Sequence, residues 1–196
     1  MIGNCSISAL IDVRGRVVWC CVPRFDGDPV FHALLGTSTG NPDDGQCFID
    51  LEGFERSEQA YDPGTAIART RLFDANGQGV EITDFAPRFA HHGRSFRPSQ
   101  LVRRLRPLNG HPRVRIVLKP RGEWGSVEPT LTRGSNHLRY VLPVTTLRVN
   151  TSVVRRPVHA PLRSARRLRP AADGIQRVCV LARRRAGAHR PPRAGA

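Results

Sequence analysis

Long apolar runs are missing from this 196-residue sequence. The longest stretch, from Val17 to Val22, falls far short of the roughly 20 residues that span a bilayer as a helix. The residues from Met1 to Cys5 contain no basic segment followed by an apolar one, so they are not typical of a signal peptide. We therefore expect a protein without a membrane partner that resides in the cytoplasm.

Short motifs for nucleotide binding or covalent chemistry are also absent. The sequence contains no Gly-x-Gly-x-x-Gly or P-loop pattern and no Gly-x-Ser-x-Gly, which predicts neither a dinucleotide site nor a serine hydrolase. The five cysteines are an odd number at no metal-ligand spacing, so they are most simply reduced thiols. We expect no cofactor and no metal.

Two adjacent pairs, His91-His92 and Cys20-Cys21, carry reactive side chains. Neighbours on an extended chain point to opposite faces. No Cys or acid at a suitable spacing completes a metal-binding set around the histidines, which predicts a solvated loop pair. For the cysteines, the same geometry predicts that one packs inward and the other faces out, which disfavours a catalytic thiol.

Lysine, acids and aromatics are almost missing from the last 42 residues. Residues 155–196 contain 12 Arg, no Lys and one acid, Asp173, whereas residues 1–154 carry a net charge of only +4. A segment so highly charged and without Phe, Tyr or Trp has little apolar surface to offset its ordering entropy. We predict one domain over residues 1–154 and a disordered, Arg-rich C-terminal tail over residues 155–196.

Two explanations of the tail remain open. Arg-rich tails bind nucleic acid by neutralising phosphates, and Arg183-Arg184-Arg185 is the strongest point for such binding. A composition dominated by Arg, Ala, Pro and Gly, without Lys, is instead typical of GC-rich codons read out of frame. In this explanation the reading frame is lost between Val153 and Pro157. We favour the second explanation, which disfavours nucleic acid as a partner.

The sequence before the tail is rich in strand and turn patterns and poor in helical spacing. The best hairpin signal is Asn76-Gly77 between two alternating runs, and Val30–Leu35 after Pro29 suits one or two helical turns. The predicted strands are 6–11, 16–21, 47–51, 66–73, 80–85, 100–106, 113–119, 138–142 and 145–149. Strands recurring roughly every 10–15 residues predict an all-β fold, an antiparallel β-sandwich.

Carboxylates are numerous, but the sequence alone does not assign a catalytic pair. A glycosidase needs two carboxyl groups roughly 5–9.5 Å apart. The acids considered are Asp26, Asp28, Asp43, Asp44, Asp84 and Glu123. Surface or turn roles are the default for Asp43 and Asp44.

The segment from Trp19 to Phe31 carries the strongest signal for binding. It places Arg24, Phe25 and Asp26 directly after a predicted strand, where binding groups are commonly displayed. Aromatic faces stack on sugar rings, and Arg and Asp hydrogen-bond hydroxyl groups. The alternative is a structural Arg24–Asp26 pair in an ordered turn.

Several motifs follow one another in a familiar order. They are Ile2-Gly3-Asn4-Cys5, Gly15-Arg16-Val17-Val18-Trp19, Pro23-Arg24-Phe25-Asp26, Thr83-Asp84-Phe85-Ala86-Pro87-Arg88-Phe89, Leu101-Val102-Arg103-Arg104 and Gly134-Ser135-Asn136-His137-Leu138-Arg139-Tyr140. With these motifs the chain resembles, from residue 2 to about 150, the trehalase-like N-terminal domain of glycoside hydrolase family 15 proteins. Asp62-Pro63-Gly64-Thr65 departs from the commoner Asn-Thr at that turn.

The resemblance implies an N-terminal β-sandwich followed by an (α/α)₆ barrel that carries two catalytic glutamates. It implies carbohydrate metabolism, with α-glucosides such as trehalose or malto-oligosaccharides as substrates of the intact enzyme only. It also implies that the turn at Arg24, Phe25 and Asp26 approaches the sugar. The barrel would need several hundred further residues, so we expect no catalytic residue and no hydrolysis from this chain alone. The alternatives are a stand-alone sugar- or protein-binding module, which would self-associate through its barrel-facing surface, and nucleic-acid binding through the tail.

Overall fold

A computed structural model of the chain describes residues 1–36, 44–134, 137–151, 162–167 and 176–184. These residues form seventeen strands and two single-turn 3₁₀ helices, Ala33–Leu35 and Glu123–Gly125. The strands are β1 (Ile2–Gly3), β2 (Ser8–Ile11), β3 (Val17–Cys21), β4 (Pro29–Phe31), β5 (Gln46–Leu51), β6 (Phe54–Tyr61), β7 (Ala68–Asp74), β8 (Gly79–Phe85), β9 (Phe89–His91), β10 (Arg94–Phe96), β11 (Gln100–Asn109), β12 (Arg113–Lys119), β13 (Thr130–Arg133), β14 (His137–Val141), β15 (Thr145–Thr151), β16 (Leu162–Arg167) and β17 (Gln176–Arg184). Within the described ranges, no helix has the length and apolar character needed to cross a bilayer.

The strands assemble into two large antiparallel sheets and one separate hairpin. The first sheet has the order β1-β2-β3-β5-β12-β16, with β4 paired to β3. The second has the order β13-β14-β15-β17-β11-β8-β7-β6. Strands β9 and β10 form the hairpin. The sheets face each other across one apolar core, so the predicted all-β sandwich is confirmed.

Alternation of apolar residues builds the inner faces. In β12, Val114, Ile116 and Leu118 are buried and pair with residues of β5 in strict register, Ile116 lying opposite Ile49. In the second sheet, Ile82 of β8 lies opposite Leu105 of β11, and both are fully buried. Because side chains in a strand alternate between faces, each such series delivers one apolar side to the core.

A buried arginine, paired with an aspartate of its own sheet, links the two sheets. Arg103 of β11 and Asp84 of β8 are 0% exposed, and the guanidinium Nε and Nη2 donate to the two carboxylate oxygens at 2.7 and 3.0 Å. Arg103 also donates to the carbonyl of Cys47 in β5 of the first sheet and to the carbonyl of Gly15 in the β2–β3 turn. Burial lowers the pKa of Arg103, but Asp84 and Cys47 outweigh it, so the pKa is raised and the side chain stays charged.

Two stretches of the tail are strands, which differs from the disorder predicted for residues 155–196. Strand β16 pairs with β12 in the first sheet, and β17 lies between β11 and β15 in the second. The composition of the whole tail concealed the local alternation around Val178 and Val180, and β11 and β15 offer backbone groups that require a partner. The rest of the predicted tail lies outside the described residues.

Two other local predictions need correction. Pro29 begins strand β4 rather than a helix, and only Ala33–Leu35 forms a 3₁₀ turn. Strand β6, a mostly exposed edge strand, was not predicted because residues 55–59 at its centre are all polar. By contrast, the hairpin predicted at Asn76-Gly77 is confirmed, with Gly77 at φ 73° between β7 and β8.

Candidate functional site

The turn that follows β3 displays the three residues predicted to bind sugar. Arg24 and Asp26 form a bidentate pair, with Nε to Oδ1 at 2.8 Å and Nη2 to Oδ2 at 2.6 Å. The hydrogen bond to Asp26 raises the pKa of Arg24. Phe25, between them, is 64% exposed. The pair fixes the turn, and the aromatic ring stands in solvent at its tip.

Asp28, two positions after Asp26, holds a second loop in place. Its carboxylate accepts hydrogen bonds from the backbone N–H groups of Glu123 and Trp124, the latter at 2.8 Å. Both of these residues have left-handed backbones, with φ of 49° and 57°. Such conformations cost on the order of 1–3 kcal/mol each in a residue other than glycine and persist where the surroundings enforce them. Asp28 contributes to that enforcement.

Trp124 presents its indole next to a second tryptophan. The ring centroids of Trp124 and Trp19 are 6.3 Å apart at 52°. Trp124 is 64% exposed, and Trp19, on β3, is partly buried. Phe25 and Trp124 therefore stand on two loops that Asp28 connects. We call residues Trp19, Arg24, Phe25, Asp26, Asp28 and Trp124 the aromatic platform.

Cys21 lies next to the platform, and its surroundings disfavour the thiolate form. Burial raises its pKa, a hydrogen bond with Trp19 opposes the rise, and the charges of Asp28 and Asp26 add to it. Both Cys20 and Cys21 are buried, so the prediction that one of them faces out is wrong. A register shift against β4 lies between the two residues and disturbs simple alternation. Thiols with raised pKa values carry little thiolate at neutral pH.

His32 supports the second loop from below. Its side chain is buried. A Cβ atom added to Gly125 would lie 2.8 Å from the imidazole ring, and a Cβ atom added to Gly45 would lie 2.7 Å from it. The backbone N–H of His32 donates to the Gly45 carbonyl at 2.9 Å. Across the described ranges, neither ring nitrogen has a hydrogen-bond partner. The imidazole thus acts as a packing element that only glycine can approach so closely.

Asp44 neutralises two cations beside this loop. Its carboxylate contacts Lys119 Nζ at 3.3 Å and Arg121, whose guanidinium also reaches Glu128 at 3.2 Å. Asp44 does lie in a turn, but it is 5% exposed, so a surface role does not apply. Asp43 lies outside the described residues. This network fixes the end of β12, from which the loop bearing Trp124 departs.

The sequence found part of the platform and missed the rest. Arg24, Phe25 and Asp26 were predicted as a group, and the structure shows the Arg24–Asp26 pair of the structural alternative. Trp19 lies in the predicted binding segment, but Trp124 was missed, although a tryptophan between two glycines after a strand is a detectable turn signal.

The other candidates do not join the platform. His91 and His92 are exposed at the β9–β10 turn, with ring centroids 4.0 Å apart because His92 leaves the extended conformation. In the described part of the chain, no three His, Cys, Asp or Glu side chains are arranged to hold a metal. The platform offers exposed aromatic faces beside an ion pair, an arrangement suited to the recognition of a ligand.

Comparison with known proteins identifies one family. The model of the family described as "Trehalase-like, N-terminal" matches residues 1–153. This match covers the platform and all strands up to β15. No curated protein and no solved structure matches the chain.

Proposed function

The chain belongs to the trehalase-like N-terminal domain family, and from this membership we propose that it is the non-catalytic N-terminal domain of a family 15 glycoside hydrolase. Its process is carbohydrate metabolism, and the intact enzyme acts on α-glucosides such as trehalose or malto-oligosaccharides. The domain's part is to present sugar-contacting residues, not to cleave the glycosidic bond.

The observation that carries this proposal is the exposed turn at Arg24, Phe25 and Asp26. The bidentate pair holds the turn in one conformation, so little side-chain entropy is lost when a ligand binds. The ring of Phe25 offers an apolar face to the C–H groups of a sugar ring. The polar edges of Arg24 and Asp26 offer hydrogen bonds to its hydroxyl groups.

A calorimetric titration with maltose and with trehalose tests the binding part of this proposal. We expect saturable binding by the full chain that is lost in Phe25→Ala. Phe89→Ala is the matched control, because Phe89 is also an exposed aromatic, 51% accessible, on the separate β9–β10 hairpin. Absence of binding by the unaltered chain, or equal binding by Phe25→Ala, contradicts a sugar site at this turn.

The chain alone should not hydrolyse these sugars. Inverting hydrolysis requires a general acid and a general base on opposite sides of the bond, roughly 6.5–9.5 Å apart. In family 15 these groups belong to the helical barrel, and the described residues contain no α-helix. Incubation with trehalose and maltose followed by a glucose assay should give the value of a blank, and turnover above the blank refutes the proposal.

A second candidate function, a stand-alone docking module, is favoured by exposed apolar side chains near the platform. Leu34 and Leu35 are 60% and 56% exposed, and they follow His32, whose ring lies against Gly125. A cluster of this kind is typical of a surface that meets another protein. Self-association is the form of this function that the chain can display by itself.

A further inference from the structure

The loop from Gly122 to Val127 is held in a strained conformation by several independent contacts. Gly122 and Val127 exchange both backbone hydrogen bonds, at 2.9 and 3.0 Å, which closes the loop. Asp28 caps the amides of Glu123 and Trp124 from the side. The His32 ring fills the space under Gly125. The backbone at Trp124 therefore has one conformation that no single contact determines.

This support does not serve to bury Trp124. A tryptophan that stabilises a fold does so by removing its large apolar surface from water, yet Trp124 leaves 64% of its surface exposed. One side of its indole is occupied by Trp19 at 6.3 Å between centroids. Strained backbone that presents an exposed functional group is found at ligand sites, where it preorganises a contact. The remaining side of the indole is thus available for a ligand.

We propose that Trp124 is a sugar-stacking residue of the site formed by Arg24, Phe25 and Asp26, and that Asp28 is its positioning residue. This inference rests on the proposed function and extends it, because one α-glucoside chain would contact aromatic rings on two loops. The Asp28 carboxylate joins the backbones of the two loops that carry these rings. A site with two aromatic faces prefers a ligand with at least two sugar rings to a monosaccharide.

The chain provides its own spectroscopic probe for this site. It contains two tryptophans, Trp19 and Trp124, and they contact each other. Intrinsic tryptophan emission therefore reports on the platform alone. Titration with maltotriose should change the emission saturably, glucose should do so more weakly, and the polyol sorbitol, which has no ring, should leave it unchanged.

Variants separate this inference from the proposed function. Calorimetry with maltotriose should show that Trp124→Ala weakens binding about tenfold or more, a loss of about 1.4 kcal/mol. Trp124→Phe should restore most of the affinity, since it retains an aromatic face. Asp28→Asn should weaken binding by a smaller factor, because an amide oxygen caps only one of the two N–H groups well. Phe89→Ala should match the unaltered chain.

Each outcome decides a different statement. If the unaltered chain binds maltotriose and Trp124→Ala binds equally well, the role of Trp124 is overturned while the sugar site at Phe25 stands. If the unaltered chain binds no sugar, the proposed function and this inference both fail. A urea unfolding curve for Trp124→Ala that matches the unaltered chain ensures that lost binding is not lost folding.

Discussion

At the scale of single residues, the ion pair of Arg103 and Asp84 is fully buried, and we expect its loss to lower the stability of the fold. Both groups are 0% exposed, and Arg103 donates to backbone carbonyls of the opposite sheet. Asp84→Asn retains the shape but leaves a buried cation without its counter-charge. We expect the free energy of unfolding in urea to fall by about 3–5 kcal/mol.

Two further variants isolate the cause of that loss. Glu52→Gln removes the carboxylate of an exposed pair with Arg113 and should change stability by less than about 1 kcal/mol. The double variant Arg103→Met, Asp84→Leu removes both buried charges and should recover most of the loss. If Asp84→Asn unfolds at the same urea concentration as the unaltered chain, the buried charge pair does not stabilise the fold.

The thiols give a second residue-scale prediction, one that depends on pH. Burial raises the pKa of Cys20, Cys21 and Cys47, so these groups remain protonated at about pH 8, whereas Cys5 is exposed. Iodoacetamide should label Cys5 rapidly in the native protein and spare the other three. Peptide mass spectrometry of a Cys179→Ser variant measures this directly.

Denaturation supplies the control for thiol labelling. In urea all four remaining cysteines should react at similar rates, since unfolding exposes them and returns the raised pKa values of Cys20, Cys21 and Cys47 to the ordinary range near 8.5. Native labelling of Cys20 or Cys47 at the rate of Cys5 would contradict their burial in the core.

Residue roles that depend on distant partners could not be predicted from the sequence. Arg103 lies two positions from both Leu101 and Leu105, so the strand pattern placed all three on one face. The pattern did not explain why this apolar face contains a charge. Its partner lies 19 positions earlier and its carbonyl contacts 56 and 88 positions earlier. Asp28 and Trp124, 96 positions apart, are another such pair. Such contacts arise from strand order, which local spacing does not encode.

At the scale of elements, strand β17 is the least expected and the most consequential. It lies between β11 and β15, so without it the second sheet divides into two groups of strands. A chain ending after Val154 also lacks β16, the neighbour of β12. We expect this shortened chain to lose cooperative unfolding and to aggregate, because unpaired strand edges seek other partners.

A less severe truncation and one substitution test the same element. A chain ending after Arg184 retains both strands and should unfold like the full chain. Val180→Asp places a charge at a buried position of β17 and should destabilise the full chain strongly. If the chain ending after Val154 unfolds cooperatively at the midpoint of the full chain, β16 and β17 do not contribute to the fold.

Elements with strong local signals were predicted well, and the others were not. Strand β12 matched its predicted bounds, Arg113–Lys119, because Val114, Ile116 and Leu118 recur at every second position, and the β7–β8 hairpin followed from Asn76-Gly77. Strand β6 is polar because it is an exposed edge, and β16 and β17 lie in a segment whose Arg content dominated its average. Tertiary pairing overrides weak local preference in these strands.

At the scale of the whole molecule, charge opposes association and exposed apolar surface favours it. The chain carries a net charge of +15, and copies of it repel one another at low ionic strength. Part of the positive charge is compensated locally: Glu81, 3% exposed at its side chain, contacts Arg69, Arg71 and Arg106. The Leu34–Leu35 turn has no charged residue to oppose an apolar contact.

These two forces predict how self-association depends on salt. Added NaCl screens the repulsion between copies but leaves the apolar contact intact, so sedimentation should show a larger oligomeric fraction at high salt than at low salt. Leu34→Glu with Leu35→Glu should keep the chain monomeric at both salt concentrations. Val13→Glu is the control, since Val13 is 70% exposed in the β2–β3 turn, away from the two leucines in the sequence. This variant should associate like the unaltered chain. An oligomer that instead dissociates as salt is added would indicate that copies associate through their charges. Nucleic-acid binding that weakens steeply with salt would indicate that the arginines contact phosphates. Either result would place the chain's interaction surface on its arginines and not at the Leu34–Leu35 turn.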